Sequence, residues 1–256
     1  MNIWVLGAHN CESQNTKFVS LLIDDVLAID AGGLTSSLSF SAQQKLKAVL
    51  LTHQHYDHIR DIPTIAMNAF LHETTINIYS VPSVYDVLAA HLLNGTLFPN
   101  FLERPQGNPT IKFTVIEPYK IDQIEGYSIL ATEVNHSVPA VGYQVASPDG
   151  KIVFYTGDTG PGLNNCWEYV SPQLLITEVT LPDRYEDFAR NTRHLTLGLL
   201  KQELINFRKI KGYLPAVAVV HMNPGLEREI ETEIAVLAKE LDSSINLAYE
   251  GMQLHS

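Results

Sequence analysis

Four times along this 256-residue chain, a short apolar segment runs straight into a residue of the metal-ligand type. Lys47 to Thr52 (KAVLLT) leads into His53-Gln-His-Tyr-Asp-His58, and Ser128 to Val134 leads to His136. Ile152 to Tyr155 leads to Asp158 within Gly157-Asp-Thr-Gly160, and Val217 to Val220 leads to His221. A short apolar run bounded by polar residues reads as a buried strand. The loop beyond a strand's C-terminal end is where α/β folds place ligands. Taken singly, His136 or His221 is more often an ordinary core histidine, and Asp158 a turn residue. Repetition of the same arrangement makes a shared site the better reading.

The first cluster is the richest, with three imidazoles and a carboxylate in six residues. Such donors are borderline to hard and suit zinc, manganese or iron. In an extended loop His53 and His55 point the same way. Asp57 and His58 can then turn to a second position, so one loop can seed two adjacent metal sites.

Between these segments the pattern predicts a first strand over Met1 to Gly7. A hairpin of Phe18 to Ile23 and Val26 to Asp30 turns at Asp24-Asp25. Helices are expected over about Ser36 to Gln44, Ile59 to Phe70 with Pro63 in its early turns, Pro82 to Leu93, Leu195 to Phe207 and Glu227 to Leu241. Further strands are expected at Ile76 to Tyr79, Ile111 to Ile116, Gly142 to Ala146, Leu174 to Thr177 and Ile245 to Leu247. Asn94 to Thr110, with weak periodicity and several Gly, Pro and Asn, reads as a long loop suited to a lid or an oligomer contact. Strands fall into two groups with helices between and after them. The expected class is therefore α/β, with two sheets sandwiched by helices, in one domain over residues 1–256.

Composition narrows the function. Twenty-eight Asp and Glu against seventeen Lys and Arg give a net charge of −11. A large nucleic-acid footprint needs clustered cations, and no Lys/Arg run occurs, so nucleic acid is a disfavoured partner. No apolar run reaches the ~18 residues of a membrane span, and the N-terminus lacks a basic leader, so a soluble cytoplasmic protein is expected. Two cysteines, Cys11 and Cys166, do not make a disulfide framework and are read as reduced.

HxHxDH, then a lone His, a Gly-Asp-Thr Asp and a late His, in this order and spacing, resembles the metallo-β-lactamase superfamily. The likeness runs from Leu6-Gly7 and Asp30-Ala-Gly-Gly33 to His221. It implies an αββα sandwich of two mixed β-sheets flanked by helices. It also implies two divalent metal ions, zinc first and manganese or iron as alternatives. Carried over by position, His53, His55 and His136 hold one metal; Asp57, His58 and His221 hold the second; Asp158 bridges. Two cations sharing a bridging water make hydroxide available at neutral pH. Asp57 is placed to orient that hydroxide or take its proton. Asp30 is expected to support a ligand histidine.

A strand ending in Thr177-Glu178, then His194-Leu-Thr196 opening a helix, is similar to the superfamily's phosphodiesterase branch. That branch holds class II cyclic-nucleotide phosphodiesterases and ribonuclease Z. The resemblance makes His194 the general acid and Glu178 its orienting partner. Thr196 as a plain N-cap with His194 facing solvent is the structural alternative. Tyr155-Thr-Gly-Asp-Thr-Gly-Pro161, Trp167 and the absence of a tRNA-clamping arm favour a small phosphodiester substrate, such as a 3′,5′-cyclic nucleotide. A ribonuclease Z-like endonuclease is the alternative, as is a lactonase or thioesterase that keeps the seven ligands and needs neither Glu178 nor His194. Arg60, Arg184, Arg190 and Arg193 lie near the motifs, and any of them could contact a phosphate. Related phosphodiesterases are commonly dimers, so a homodimer is expected.

Overall fold

The computed structural model describes residues 1–255. Its strands form two seven-stranded sheets. The first has β1 (Asn2–Gly7), β2 (Ser20–Ile23), β3 (Leu27–Ile29), β4 (Ala48–Leu50), β5 (Ile76–Ser80) and β6 (Ile111–Val115), in the order β1 to β6. The second has β7 (Ile121–Ile124), β8 (Tyr127–Glu133), β9 (Val141–Ala146), β10 (Ile152–Tyr155), β11 (Leu174–Glu178), β12 (Ala216–Val220) and β13 (Ile245–Leu247), also in sequential order. β14 (Gln253–His255) returns to the first sheet and pairs antiparallel with β1. Both sheets are mixed. β3 to β6 are mutually parallel, as are β10 to β13, while the remaining pairs are antiparallel.

The hairpin turn falls at Asp24-Asp25, where φ is 46° and 65°. Two left-handed residues in a two-residue turn match the twist of the strands they join. Asp24 also accepts a hydrogen bond from Tyr127 Oη at 2.6 Å, which ties the hairpin to β8 of the other sheet.

Helices cover the outer faces. α1 (Leu34–Ser37), α2 (Phe40–Gln43), α3 (Tyr56–Ile59), α4 (Ile62–Leu71) and α5 (Pro82–Val87, continued by a π turn over Leu88–Leu92) belong to the first half. α6 (Asn164–Tyr169), α7 (Glu186–Thr192), α8 (Leu197–Lys211) and α9 (Glu227–Leu241) belong to the second. Ile3, Leu21, Ile29, Val49 and Ile78 of the first sheet and Tyr143, Phe154, Ile176 and Val219 of the second are buried in one core. This is the αββα sandwich that the two groups of strands imply.

Several expectations need correction. The helix expected over Ser36 to Gln44 is two short ones, because Ser39 is extended and its side chain accepts from Ala42 N, starting α2 afresh. The expected Ile59 to Phe70 helix begins earlier, in the histidine cluster itself, and breaks before α4, where Pro63 occupies a first-turn position. β7, β14 and the short helices α6 and α7 were not expected. Asn94 to Thr110 is a loop, but Phe101 in its middle is buried and its ring lies 5.5 Å from that of Phe70 on α4. It packs down rather than projecting. Cys11 is exposed and Cys166 buried, and they are not paired.

Candidate metal centre

Strand direction brings the predicted ligands together. Asp30 follows β3, His53 follows β4, Asp158 follows β10 and His221 follows β12, each at a C-terminal end. β8 and β10 both run antiparallel to β9, so His136 beyond β8 emerges at the same end as Asp158. Two glycines let the backbones close in. A Cβ on Gly32 would lie 2.1 Å from the Asp57 carbonyl oxygen, and one on Gly157 would lie 2.9 Å from Thr52. Gly157 also has φ +62°, so it serves both the close approach and the left-handed turn.

Two groups of side chains result. His53, His55, His136 and Asp158 form one; Asp57, His58, Asp158 and His221 form the other. In each, one donor atom per residue lies within 4.8 Å of the others. Asp158 is common to both, with Oδ1 3.2 Å from His58 Nε2 and Oδ2 3.3 Å from His221 Nε2. Asp57 Oδ2 sits 3.4 Å from His58 Nε2 and 3.3 Å from His221 Nε2. His53 Nε2, His58 Nε2 and Asp158 Oδ1 are buried without any hydrogen-bond partner. Orphaned buried polar atoms are costly, and three that converge fit bound cations. The donors are imidazole and carboxylate with no thiolate, which suits zinc, manganese or iron.

Electrostatics point the same way. Burial and then the neighbouring His58 charge hold the His53 imidazole well below its ordinary pKa, in the neutral form a metal requires. Burial also works against charge on His58, but Asp158, Asp30 and Asp57 outweigh it and hold its pKa well above the usual value. The carboxylates thus draw positive charge into the centre, and divalent ions supply it more fully than one proton.

Buried carboxylates set the ring tautomers. Thr52 Oγ1 donates to Asp30 at 2.9 Å, so His53 Nδ1, 3.0 Å from that hydroxyl, must be the donor to it. Asp30 also accepts directly from His58 Nδ1 at 2.7 Å. The second half repeats the device. Thr180 Oγ1 donates to Glu178 Oε2 at 2.7 Å, and His221 Nδ1 donates to Thr180 at 2.8 Å. The Arg193 carbonyl accepts from His136 Nδ1 at 3.2 Å. His53, His136 and His221 are therefore left with Nε2 lone pairs directed to the centre, as His58 would be once a cation displaces its second proton, and His136 Nε2 lies 3.1 Å from His55 Nδ1. Asp30 and His221 both adopt left-handed backbones, φ 58° and 62°. Strained residues of this kind concentrate at functional sites.

Glu178 is fully buried and accepts from Thr159 N, Leu195 N and Thr180 Oγ1, and from His194 Nδ1 at 2.7 Å. Burial would lower the His194 pKa, but the Glu178 carboxylate more than offsets it and lifts the imidazole to about 9. The His194 ring stacks on His221, with centroids 5.5 Å apart and planes 16° apart, and lies 5.3 Å from His136. Thr196 does cap α8, accepting from Leu199 N. His194 nevertheless faces the centre rather than open solvent.

Sequence reasoning missed Thr52 and Thr180. Their signal is a hydroxyl residue next to a ligand or beside a strand-terminal acid. Of the four arginines near the motifs, Arg60 pairs with Glu12 and Asp61, Arg184 with Glu229, and Arg190 with Glu186. Arg193 is left without a carboxylate among the described residues. A cavity of about 600 Å3 lies between α8 and α9 around Glu233 and Leu237 and contains none of the ligand candidates. A recess of about 420 Å3 beside His136 and Arg193 does adjoin the centre. No helix among the described residues is long and apolar enough to cross a membrane.

A family model described as the beta-lactamase superfamily domain matches residues 21–236. Ribonuclease Z of Methanocaldococcus jannaschii is 23% identical over 241 residues, 72% of either chain. Among solved structures, unliganded yeast PDE1 superposes with a TM-score of 0.84 at 16% identity, over 100% of this chain and 99% of that one. The short form of human tRNase Z superposes with a TM-score of 0.73 at 17% identity, over 100% and 99%. At those identities the likeness is one of fold.

Proposed function

The chain belongs to the metallo-β-lactamase superfamily and is a metal-dependent hydrolase, and from that premise we propose that it cleaves a small phosphodiester, such as a 3′,5′-cyclic nucleotide, at a two-metal centre. The observation that carries this reading is the buried Glu178–His194 pair beside the ligands. An alkoxide leaving a phosphodiester is a poor leaving group and gains from a proton donor placed beside it. The matching Glu and His do this in the phosphodiesterase branch that the Thr177-Glu178 and His194-Leu-Thr196 stretches resemble, whereas a lactonase or thioesterase of the superfamily needs only the metal ligands.

His53, His55 and His136 would hold one ion, Asp57, His58 and His221 the other, and Asp158 would serve both. When bound, two divalent ions, zinc first among the candidates, supply Lewis acidity that brings water towards ionisation at neutral pH and offsets phosphoryl charge. Asp57 orients the attacking water and accepts its proton. His194, held by Glu178 through Nδ1, keeps its Nε2–H clear of other partners among the described residues. It donates that Nε2 proton to the departing oxygen, while the water's proton stays on Asp57. Glu178 holds the ring in place through Nδ1 as the Nε2 proton leaves.

A second reading, an RNA 3′-end endonuclease, is favoured by the ribonuclease Z relative. Against it stand the net charge of −11 and the pairing of three of the four motif arginines with acids. A substrate panel separates the readings: metal-loaded protein is given cyclic AMP, a precursor tRNA and a lactone series. Turnover of cyclic AMP is expected. Cleavage of the precursor alone would establish the second reading, and lactone cleavage alone would overturn both.

A further inference from the structure

Arg193 closes the C-terminus of α7 in a left-handed conformation, φ 56° and ψ 54°. Glycine or asparagine normally fills such a position, because a larger side chain is strained there. The long side chain is nonetheless well placed. Its guanidinium donates through Nη1 to the carbonyl oxygen of His136, while its own carbonyl accepts from His136 Nδ1. Arg193 therefore grips one metal-ligand candidate from both sides and leaves the rest of its guanidinium free at the mouth of the neighbouring recess. No carboxylate among the described residues claims it. Glu133, on the same recess, accepts from Tyr119 Oη instead.

The recess is about 420 Å3, within the range of small-molecule sites. Val81, Pro118, Val138 and Pro139 supply the apolar part of its wall, with Glu133 and Ser137 polar beside them. Apolar side chains beside an unpaired guanidinium suit a flat aromatic group, which they desolvate and the planar cation covers. We propose that Arg193 and this recess form a subsite for the nucleobase of a nucleotide whose phosphate lies at the metal centre. The inference rests on the reading of the centre as one for nucleotide phosphodiesters, and names the part of the substrate that distinguishes one such ester from another.

Calorimetric binding to the metal-loaded protein tests it without turnover. AMP and ribose 5-phosphate carry the same phosphate, and only AMP carries a base. AMP is expected to bind about tenfold more tightly. Arg193→Gly keeps the left-handed backbone and the carbonyl that accepts from His136 Nδ1, so one of the two holds on His136 remains. It should narrow the gap to about twofold, chiefly by weakening AMP, with metal content unchanged, and Arg193→Lys should fall between. Equal affinity of the two ligands for the wild type, no binding of either, or an equal loss of both in Arg193→Gly would overturn the subsite. The proposed activity is judged separately by hydrolysis of bis-p-nitrophenyl phosphate, so base selectivity without phosphodiester cleavage would refute the activity and leave the subsite standing.

Discussion

Asp30 Oδ2 lies 2.7 Å from His58 Nδ1, with both side chains fully buried. The same carboxylate reaches His53 through the Thr52 hydroxyl, so one acid outside the ligand set fixes two ligand histidines belonging to different metal groups. Replacing Asp30 with Asn keeps its size but puts an amide where acceptors are needed. Metal affinity should fall about 10- to 100-fold, as measured by competition with a chelating dye. An unchanged affinity would mean that the histidines are held by packing alone.

The cluster gathers carboxylates and imidazoles that cations would reconcile, so metal loading should stabilise the fold. Metal at 100 times its dissociation constant contributes about 2.7 kcal/mol, or roughly 5–10 °C in Tm for a chain of this size. Scanning calorimetry with and without a chelator measures it. No difference would count against tight binding in the folded state.

Glu178 raises the His194 pKa, against the lowering effect of burial. In Glu178→Gln the opposing charge is gone, and the imidazolium should lose its proton at lower pH. The alkaline limb of the kcat profile should therefore move down by about one unit or more, with kcat reduced about 10- to 100-fold at its optimum. Bound cations lower His194 in both proteins, so the comparison between them carries the result. A profile that keeps its shape would show that His194 is not the acid.

A second histidine pairing, away from the chemistry, tests electrostatics in the fold itself. His9 is buried, with Nδ1 2.6 Å from Glu250 and Nε2 3.4 Å from Glu227. Burial lowers its pKa, but hydrogen bonding and charge from Glu250 and Glu227 outweigh that and leave it raised. A raised folded pKa gives stability that is fully present below about 6.5. It is lost as pH rises through the folded value. His9→Gln should cost about 1–2 kcal/mol in urea unfolding at pH 6 and much less at pH 9. An equal loss at both pH values would assign His9 a packing role only.

What was legible in the chain follows from what pattern can encode. α9 and β13 fall at the expected residues because a long amphipathic run and a short apolar run have unambiguous periods. The four places that supply the metal-ligand candidates were readable because each lies just beyond an apolar strand. β7 was not, since its exposed Ile121 breaks the alternation that marks a half-buried strand. β14 pairs with β1 across nearly the whole chain, a register no local pattern carries. Thr52 reads as the last residue of a strand, and only the fold places Asp30 against it. Arg193 was one of four equal arginines until Glu12, Glu229 and Glu186 were found beside the other three.

The central claim is a two-metal centre that cleaves phosphodiesters, and the most direct test titrates metal-free protein with zinc or manganese. Bound metal is counted by mass spectrometry and hydrolysis of bis-p-nitrophenyl phosphate is followed in the same samples. The account predicts two ions per chain, turnover that rises with occupancy, and its abolition by a chelator. Turnover that persists in chelator, or full occupancy of both sites without cleavage of the diester, would contradict it.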